Sequence, residues 1–172
     1  MFKEIDYKKL DFNPFTYLNE GWMLLSSGKT EKAYNTMTVS WGHFGSLWGD
    51  NWRMPTAIVY VRPQRYTKKF MDSEEYFSLS YFGNDYKKDL AYLGSHSGKE
   101  GDKVKNTSLT PVFSDNTVYF NEAKLVFICK KIYTAEITED GFIDKTIIEN
   151  NYKNKDFHTE YIGRIVKILK KE

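Results

Sequence analysis

The chain has 172 residues, a length that suits one domain with one hydrophobic core. Its 25 basic and 23 acidic residues nearly balance, so the composition shows no basic surplus of the kind that nucleic-acid binding needs. We therefore expect a single domain over residues 1–172 that binds no nucleic acid. The aromatic content, 13 Tyr, 12 Phe and 4 Trp, is high enough both to fill a core and to line a pocket for a flat ligand.

Cysteine usage and hydropathy exclude further classes. The single cysteine, Cys129, rules out an internal disulfide and a cysteine-only metal site. No segment approaches the roughly 20 apolar residues of a membrane span, and the charged start of the chain lacks the apolar centre of a signal peptide. These features predict a cytoplasmic protein without a membrane partner.

The first half of the chain carries mainly strand patterns. Along residues 34–41 hydroxyl and apolar side chains alternate strictly, the period of two that is typical of a half-buried strand. Pro63 removes a ladder donor and ends another β-branched run. The expected elements are strands at 22–26 (ended by residues 27–29), 34–41 and 56–62 and a short helix at 64–72.

The second half continues the pattern. Strands are expected at 76–82, 111–114, 117–120, 123–138 (long and bent) and 161–169, and a helix is expected after Asn84 or Asp85, ending at Gly94. Residues 94–106 show no period and predict a long loop, which at this length is often functional. Many strands without strand–helix–strand alternation predict a mainly β fold, a small closed or split antiparallel barrel with short helical excursions.

Searches for common catalytic motifs give little. The stretch from Gly94 to Lys99 has neither the spacing of a P-loop nor that of a dinucleotide fingerprint. The three histidines lie far apart without metal-ligand spacing, so no metal site is expected. No G-x-S-x-G elbow is present, and Cys129 lies in an apolar run that predicts a buried thiol.

Several groups instead suit a planar, anionic ligand. Thr36, Thr38 and Ser40 form a row of hydroxyls along one strand face. Arg62, Arg65 and Thr67 follow a strand end, where guanidinium groups and helix amides can bind phosphate. Aromatic side chains that could flank a ring system are Trp41, Trp48 and Trp52.

The order of these groups resembles the flavin-reductase-like, FMN-binding split-barrel family, which includes flavoredoxin-like proteins. The resemblance rests on NTMTVSW at 35–41, RPQRYT at 62–67, GSHSGKEGDK at 94–103 and His158 with Tyr-Ile-Gly at 161–163. It covers the chain from about Gly21 to its end. It implies a split barrel with Greek-key-like antiparallel strands, and FMN bound at the interface of a homodimer.

The resemblance also implies the site. The 35–41 strand would border the flavin ring, Arg62 to Thr67 would hold the phosphate side, and residues 94–99 would form a second wall. Lys99 or Lys103 would supply positive charge near the ring. His158, the one catalytic candidate, would reach the site from the C-terminal segment. The expected cofactor-binding residues are Asn35, Thr36, Met37, Thr38, Ser40, Trp41, Arg62, Arg65, Tyr66, Thr67, Gly94, Ser95, His96, Ser97, Gly98, Lys99, Lys103 and His158.

The function that the resemblance implies is NAD(P)H-dependent flavin reduction or flavoredoxin-like electron transfer, with a flavin, a nicotinamide or a redox partner protein as the second reactant. The residues do not choose between reductase and carrier, or between NADH and NADPH. Two alternatives stay open: a non-catalytic, OB-like β-barrel binding module, and a split-barrel dimer that has lost FMN.

Overall fold

The computed structural model describes residues 1–172 apart from the side chain of Trp52. Ten strands and four short helices are present, joined by 3₁₀ turns. The strands are β1 Phe2–Glu4, β2 Met23–Thr30, β3 Ala33–Val39, β4 Gly42–Ser46, β5 Pro55–Val61, β6 Tyr76–Tyr81, β7 Pro111–Ser114, β8 Thr117–Phe120, β9 Leu125–Glu136 and β10 Thr159–Lys171. The helices are α1 Pro14–Thr16, which runs into a π-type turn at Tyr17–Gly21, α2 Thr67–Ser73, α3 Lys87–Ser95 and α4 Thr146–Asn151.

The main sheet is antiparallel, in the order β3-β2-β6-β9-β10-β5-β4, with β1 on the C-terminal half of β10. The hairpin β7-β8 forms a separate ribbon. Only Ser40 and Trp41 separate β3 from β4, although these strands lie at opposite ends of the order. The sheet must therefore curl until its two ends meet at this corner, which makes an incompletely closed barrel.

Alternation along the strands divides the apolar residues between two cores. Leu25 of β2 and Phe127 of β9 point into the barrel, whereas their neighbours Leu24 and Val126 point to the outer face. The inner core joins residues of β3 and β5 across the barrel. The outer core is covered by α3, the 104–109 segment and the β7-β8 hairpin. The inner core holds one face of β3, and the outer core holds α3 on the other side of the sheet, so β3 and α3 lie next to each other.

Several predicted boundaries need correction. Residues 27–29 do not end the first strand: Gly28 has φ +118° at a register shift, so β2 continues to Thr30. The helix predicted at 64–72 occupies Thr67–Ser73. The 94–106 loop is folded into 3₁₀ turns at Gly98–Glu100 and Lys103–Asn106, and α3 runs through Gly94 to Ser95. Strands β1 and β4 and helices α1 and α4 were not expected.

Candidate functional site

Strand β3 supplies one wall of the candidate site. Met37 and Val39 face the inner core, yet both also line a cavity at the barrel opening together with Thr38, Ser40 and Trp41. Asn35 is buried, and its Nδ2 donates to Thr67 Oγ1 at 2.8 Å. This bond ties β3 to the start of α2.

The hydroxyl row of β3 has a structural role. Thr36 is fully buried. Its Oγ1 lies 2.8 Å from Ser26 Oγ and donates to the Leu25 carbonyl. Thr38 Oγ1 donates to the Leu90 carbonyl of α3 at 2.5 Å. Thr36 and Thr38 therefore use their protons to hold β3 against β2 and α3, because an outward-facing hydroxyl beneath a covering element needs a partner.

The segment between β5 and α2 carries two arginines with different environments. Arg62 Nη1 donates to Asp156 Oδ2 at 2.6 Å and Nη2 to the Asn151 carbonyl at 2.8 Å. The Arg65 side chain makes one hydrogen bond, from Nη1 to the Gly94 carbonyl at 2.9 Å, and has no carboxylate partner among the described residues. The Arg62 side chain is thus held by contacts within the protein, whereas the Arg65 guanidinium has N–H groups left to donate to a ligand.

The segment 94–103 folds over the C-terminal end of α3. Lys103 is 7% exposed, and its Nζ donates to the carbonyls of Leu93 (2.5 Å) and His96 (2.8 Å). Gly98 lies so close to Asn35 that an added Cβ would sit 2.2 Å from Oδ1. Glycine is thus required where the segment crosses β3.

His158 approaches from the start of β10. It is 7% exposed, its Nδ1 lies 2.8 Å from Tyr152 Oη, and its ring lies 4.9 Å from that of Trp41. Burial, then the charges of Arg62 and Arg65, lower the pKa of His158 to about 4, against an opposing effect of Asp156. The imidazole is therefore neutral near pH 7.

These elements enclose two adjoining cavities, which share Met37 and Arg65. The strand cavity has a volume of about 170 Å³ and is lined by Met37, Thr38, Val39, Ser40, Trp41, Tyr60, Arg62, Arg65 and His158. The loop cavity has a volume of about 110 Å³ and is lined by Asn35, Met37, Gln64, Arg65, Tyr66, Thr67, Leu93, Ser95, His96, Ser97, Gly98 and Lys103.

Most of the residues expected from the sequence thus meet in one place. The exceptions are Thr36, which is buried and bonded to β2, Lys99, which is exposed, and Gly94, whose carbonyl instead accepts from Arg65. Trp48 is half exposed and lies near Tyr133, away from both cavities, and Trp52 lies outside the described residues.

The lining of the two cavities is electrostatically one-sided. It contains Arg62, Arg65 and Lys103 but no aspartate or glutamate. Burial, with the charge of Arg65, lowers the pKa of Lys103 to about 8, so that Lys103 is mostly protonated at pH 7. Arg62 is paired with Asp156, which leaves Arg65 and Lys103 as the cations without a carboxylate partner among the described residues, and such positive charge at a partly enclosed site favours an anionic ligand.

Sequence reasoning missed some lining residues and one supporting residue. Gln64 and Leu93 lie beside motif residues, so inspection of their neighbours could have found them. Tyr60 lines the strand cavity from β5. It alternates with the buried Val59 and Val61, and this alternation could have shown that Tyr60 lies on the opposite face of the strand. Tyr152 gave no signal, because only the tertiary fold brings it to His158.

A larger groove lies elsewhere on the barrel. It has a volume of about 560 Å³ between residues 4–7, Pro55 and residues 165–168. Its lining includes Glu4 and Asp6, and its one cation, Lys167, forms an ion pair with Asp115. None of the residues expected from the sequence lies there, and its charge does not favour an anion.

The described residues show neither a metal centre nor a membrane-spanning helix. Among the described residues, no group of three or more His, Cys, Asp or Glu side chains is arranged to hold a metal ion. No helix in the described part of the chain is long and apolar enough to cross a membrane.

The fold has clear counterparts among solved structures. Flavoredoxin of Desulfovibrio vulgaris (Miyazaki F) superposes with a TM-score of 0.67 at 21% identity, over 97% of this chain and 78% of that one. A protein from Shewanella frigidimarina NCIMB 400, described as a flavin reductase with a split-barrel domain, gives 0.64 at 17% identity, over 90% and 70%. An NADH:FAD oxidoreductase from Streptomyces globisporus gives 0.63 at 15% identity, over 88% and 75%.

No protein-family model matches this sequence, and no curated protein sequence matches it. The likeness to solved structures lies below 25% identity and therefore establishes the fold. The chain has the split-barrel fold of these flavoproteins, mainly antiparallel with short helices, and the resemblance predicted from the sequence is confirmed at that level.

Proposed function

We propose that this chain binds FMN and acts as a flavin-reductase-like oxidoreductase. One observation carries the proposal: two adjoining cavities are lined by Arg62, Arg65 and Lys103 and by no carboxylate, and of these cations only Arg62 has a carboxylate partner among the described residues. A flavin mononucleotide combines a phosphate with a flat ring, and this lining offers charge for the first and apolar and aromatic surface for the second.

The phosphate side of the cofactor belongs in the loop cavity. Arg65 and Lys103 supply positive charge there, and the hydroxyl of Ser97, whose oxygen accepts from the Lys99 N–H, offers a further donor. Gly98 allows the loop backbone to approach β3 closely. A phosphomonoester carries close to two negative charges at pH 7 and would offset the like charges of Arg65 and Lys103.

The ring side belongs in the strand cavity. Met37, Trp41 and Tyr60 provide surface for an isoalloxazine, and His158 provides one polar group. Bound FMN would supply hydride and single-electron transfer, so the protein has to provide orientation, charge and solvent exclusion rather than a nucleophile. Cys129 is suited to no such role, because complete burial raises the pKa of its thiol.

A homodimer forms part of the proposal. Ligand pockets usually enclose about 300–1,000 Å³, more than either cavity of one chain provides. Trp41, which lines the strand cavity, is 45% exposed, and two further aromatic side chains that lie next to each other on the surface, Trp48 and Tyr133, are about half exposed. A second copy that covers Trp41 would enlarge the enclosed volume around the ring.

The reductant and the cellular location also form part of the proposal, and both follow from the redox chemistry of a flavin. A nicotinamide, NADH or NADPH, or a redox partner protein would reduce the flavin, and a second acceptor would reoxidise it. Support comes from the Streptomyces globisporus NADH:FAD oxidoreductase, which shares the fold and was also solved with NAD and FAD fragments. Nicotinamide pools lie in the cytoplasm, and we propose that location for the protein.

Visible absorption spectroscopy tests the proposal. The purified protein is titrated with FMN, freed of unbound flavin and treated anaerobically with NADH or NADPH. Retained flavin bands that bleach with a nicotinamide support the reductase, and bands that bleach only with dithionite or a protein donor support the electron carrier. A protein that retains no FMN would refute the proposal in favour of a non-catalytic binding module or a flavin-free dimer on the same split-barrel fold. Sedimentation of the same sample tests the homodimer.

A further inference from the structure

The two ring nitrogens of His158 have different surroundings. Nδ1 lies 2.8 Å from Tyr152 Oη. Nε2 makes no hydrogen bond within the part of the chain that the structure describes, and it is not sealed from solvent. Because His158 lines the strand cavity and its Nδ1 is engaged by Tyr152, Nε2 is the ring nitrogen left free for a ligand there.

The surroundings of His158 keep the ring neutral. The charged groups that face it are Arg62 at the end of β5, Arg65 before α2, and Asp156 before β10; the neutral phenol of Tyr152 follows α4. Asp156 is engaged by Arg62 at 2.6 Å and by Gln64 at 2.8 Å, so the carboxylate is not available to pair with an imidazolium. A neutral imidazole carries one proton, and the partner of one nitrogen decides which nitrogen holds it.

Tyr152 is built to act as that partner. It is 3% exposed, and its ring packs 4.8 Å from that of Phe157 and 5.7 Å from that of Phe142. The Arg62 guanidinium carbon lies 5.1 Å from the centre of the Tyr152 ring. A phenol O–H is a good donor, and an unprotonated imidazole nitrogen accepts more strongly than a phenol oxygen. The favoured bond therefore runs from Tyr152 O–H to Nδ1.

We propose that Tyr152 is a positioning residue that holds His158 in the neutral tautomer with the proton on Nε2. His158 then donates a hydrogen bond into the strand cavity, toward an acceptor oxygen or nitrogen of the bound ligand. The identity of that ligand as FMN rests on the proposed function, whereas the tautomer is a property of the flavin-free protein. Tyr152 acts through His158 and makes no contact with the cavity itself.

Nitrogen NMR of the histidine rings tests the tautomer without flavin. Protein carrying ¹⁵N-histidine is measured at neutral pH, and His158→Gln identifies the His158 signals. The proposal expects wild-type protein with Nε2 protonated, and Tyr152→Phe, which keeps the ring packing, with a mixture of both tautomers. Tyr7→Phe is the matched control. Tyr7 is exposed and lines neither of the two cavities, so its removal should leave the His158 signals unchanged.

Two NMR results would overturn the proposal: a wild-type His158 protonated on Nδ1, or a Tyr152→Phe spectrum with the His158 tautomer unaltered. Circular dichroism checks that Tyr152→Phe is folded; if it is not, the wild-type tautomer alone decides. FMN titration then tests the donor role, because losing one neutral hydrogen bond should raise the Kd of Tyr152→Phe about 2- to 10-fold. An unchanged Kd would refute that role, and absence of FMN binding by wild-type protein would refute the proposed function without altering the NMR result.

Discussion

Removing the Arg65 side chain probes the proposed phosphate contact directly. Arg65 lines both cavities, and the one hydrogen bond that its side chain makes within the described residues goes to the Gly94 carbonyl. It has no ion-pair partner there, so Arg65→Ala leaves no carboxylate unpaired. The exposed position of Arg65 predicts a change in the free energy of unfolding within about 0.5 kcal/mol.

The expected effect on binding is much larger than the effect on stability. A hydrogen bond to a charged group contributes about 1.5–3 kcal/mol, which corresponds to a rise of roughly 10- to 150-fold in the Kd for FMN. Loss of the Arg65 charge also removes one cause of the lowered Lys103 pKa, but Lys103 is already mostly protonated at pH 7, so this effect offsets little of the loss at that pH.

Fluorescence titration of FMN with wild-type protein, Arg65→Ala and Arg164→Ala measures the effect. Arg164 is an exposed arginine on β10 that lines neither cavity, so it controls for net charge. Riboflavin, which lacks the phosphate, should lose much less affinity than FMN on Arg65→Ala. Equal losses for FMN and riboflavin, or equal effects of the two arginine variants, would refute the placement of the phosphate beside Arg65.

Three further outcomes follow from burial and packing. FMN affinity should fall as pH rises above about 8 in wild-type protein, where Lys103 loses its charge, and Lys103→Met should abolish that dependence in the same titration. Gly163→Ala should destabilise the protein by about 1–3 kcal/mol in urea unfolding, because the new Cβ would lie 2.6 Å from the Phe77 ring, whereas Gly45→Ala meets no atom within 4 Å and should change little. His158 has a pKa lowered from 6.5 to about 4, so the unfolded chain takes up its proton first; stability should fall by up to about 3 kcal/mol as pH drops from 6.5 to 4, and His158→Gln should flatten this part of the pH profile.

Local patterns predicted those elements whose structure depends on neighbours in the chain. The hairpin β7-β8 lies where it was predicted because Asp115 and Asn116 both adopt positive φ in its two-residue turn, a conformation that these residue types tolerate. Strand β4 was missed because its five residues, GHFGS, include two glycines and show no alternation. Its pairing with β5, Gly42 opposite Val59, supplies the strand structure that its own residues do not indicate.

The resemblance carried by the order of motifs predicted residues most of which the structure brings together, and their binding of a cofactor stays a prediction. The motifs at 35–41, 62–67 and 94–103 and His158 identified the residues that the structure brings to two adjoining cavities. Sequence could not show which of these polar groups are already engaged. The bond from Arg62 to Asp156 crosses 94 positions, and the Thr36 hydroxyl finds its partners only when β2 pairs with β3.

The sequence by itself therefore determined the fold class, through strand alternation, and the set of residue types that suit an anionic, planar ligand. The tertiary structure alone decided which charges remain free: Arg65 keeps unbonded donors, Arg62 is held by Asp156, and Lys103 is buried against the end of α3. The physical reason is the sequence separation over which each kind of information acts. Periodicity reports the face on which a residue lies, whereas a hydrogen-bond partner depends on which distant segment packs over that face.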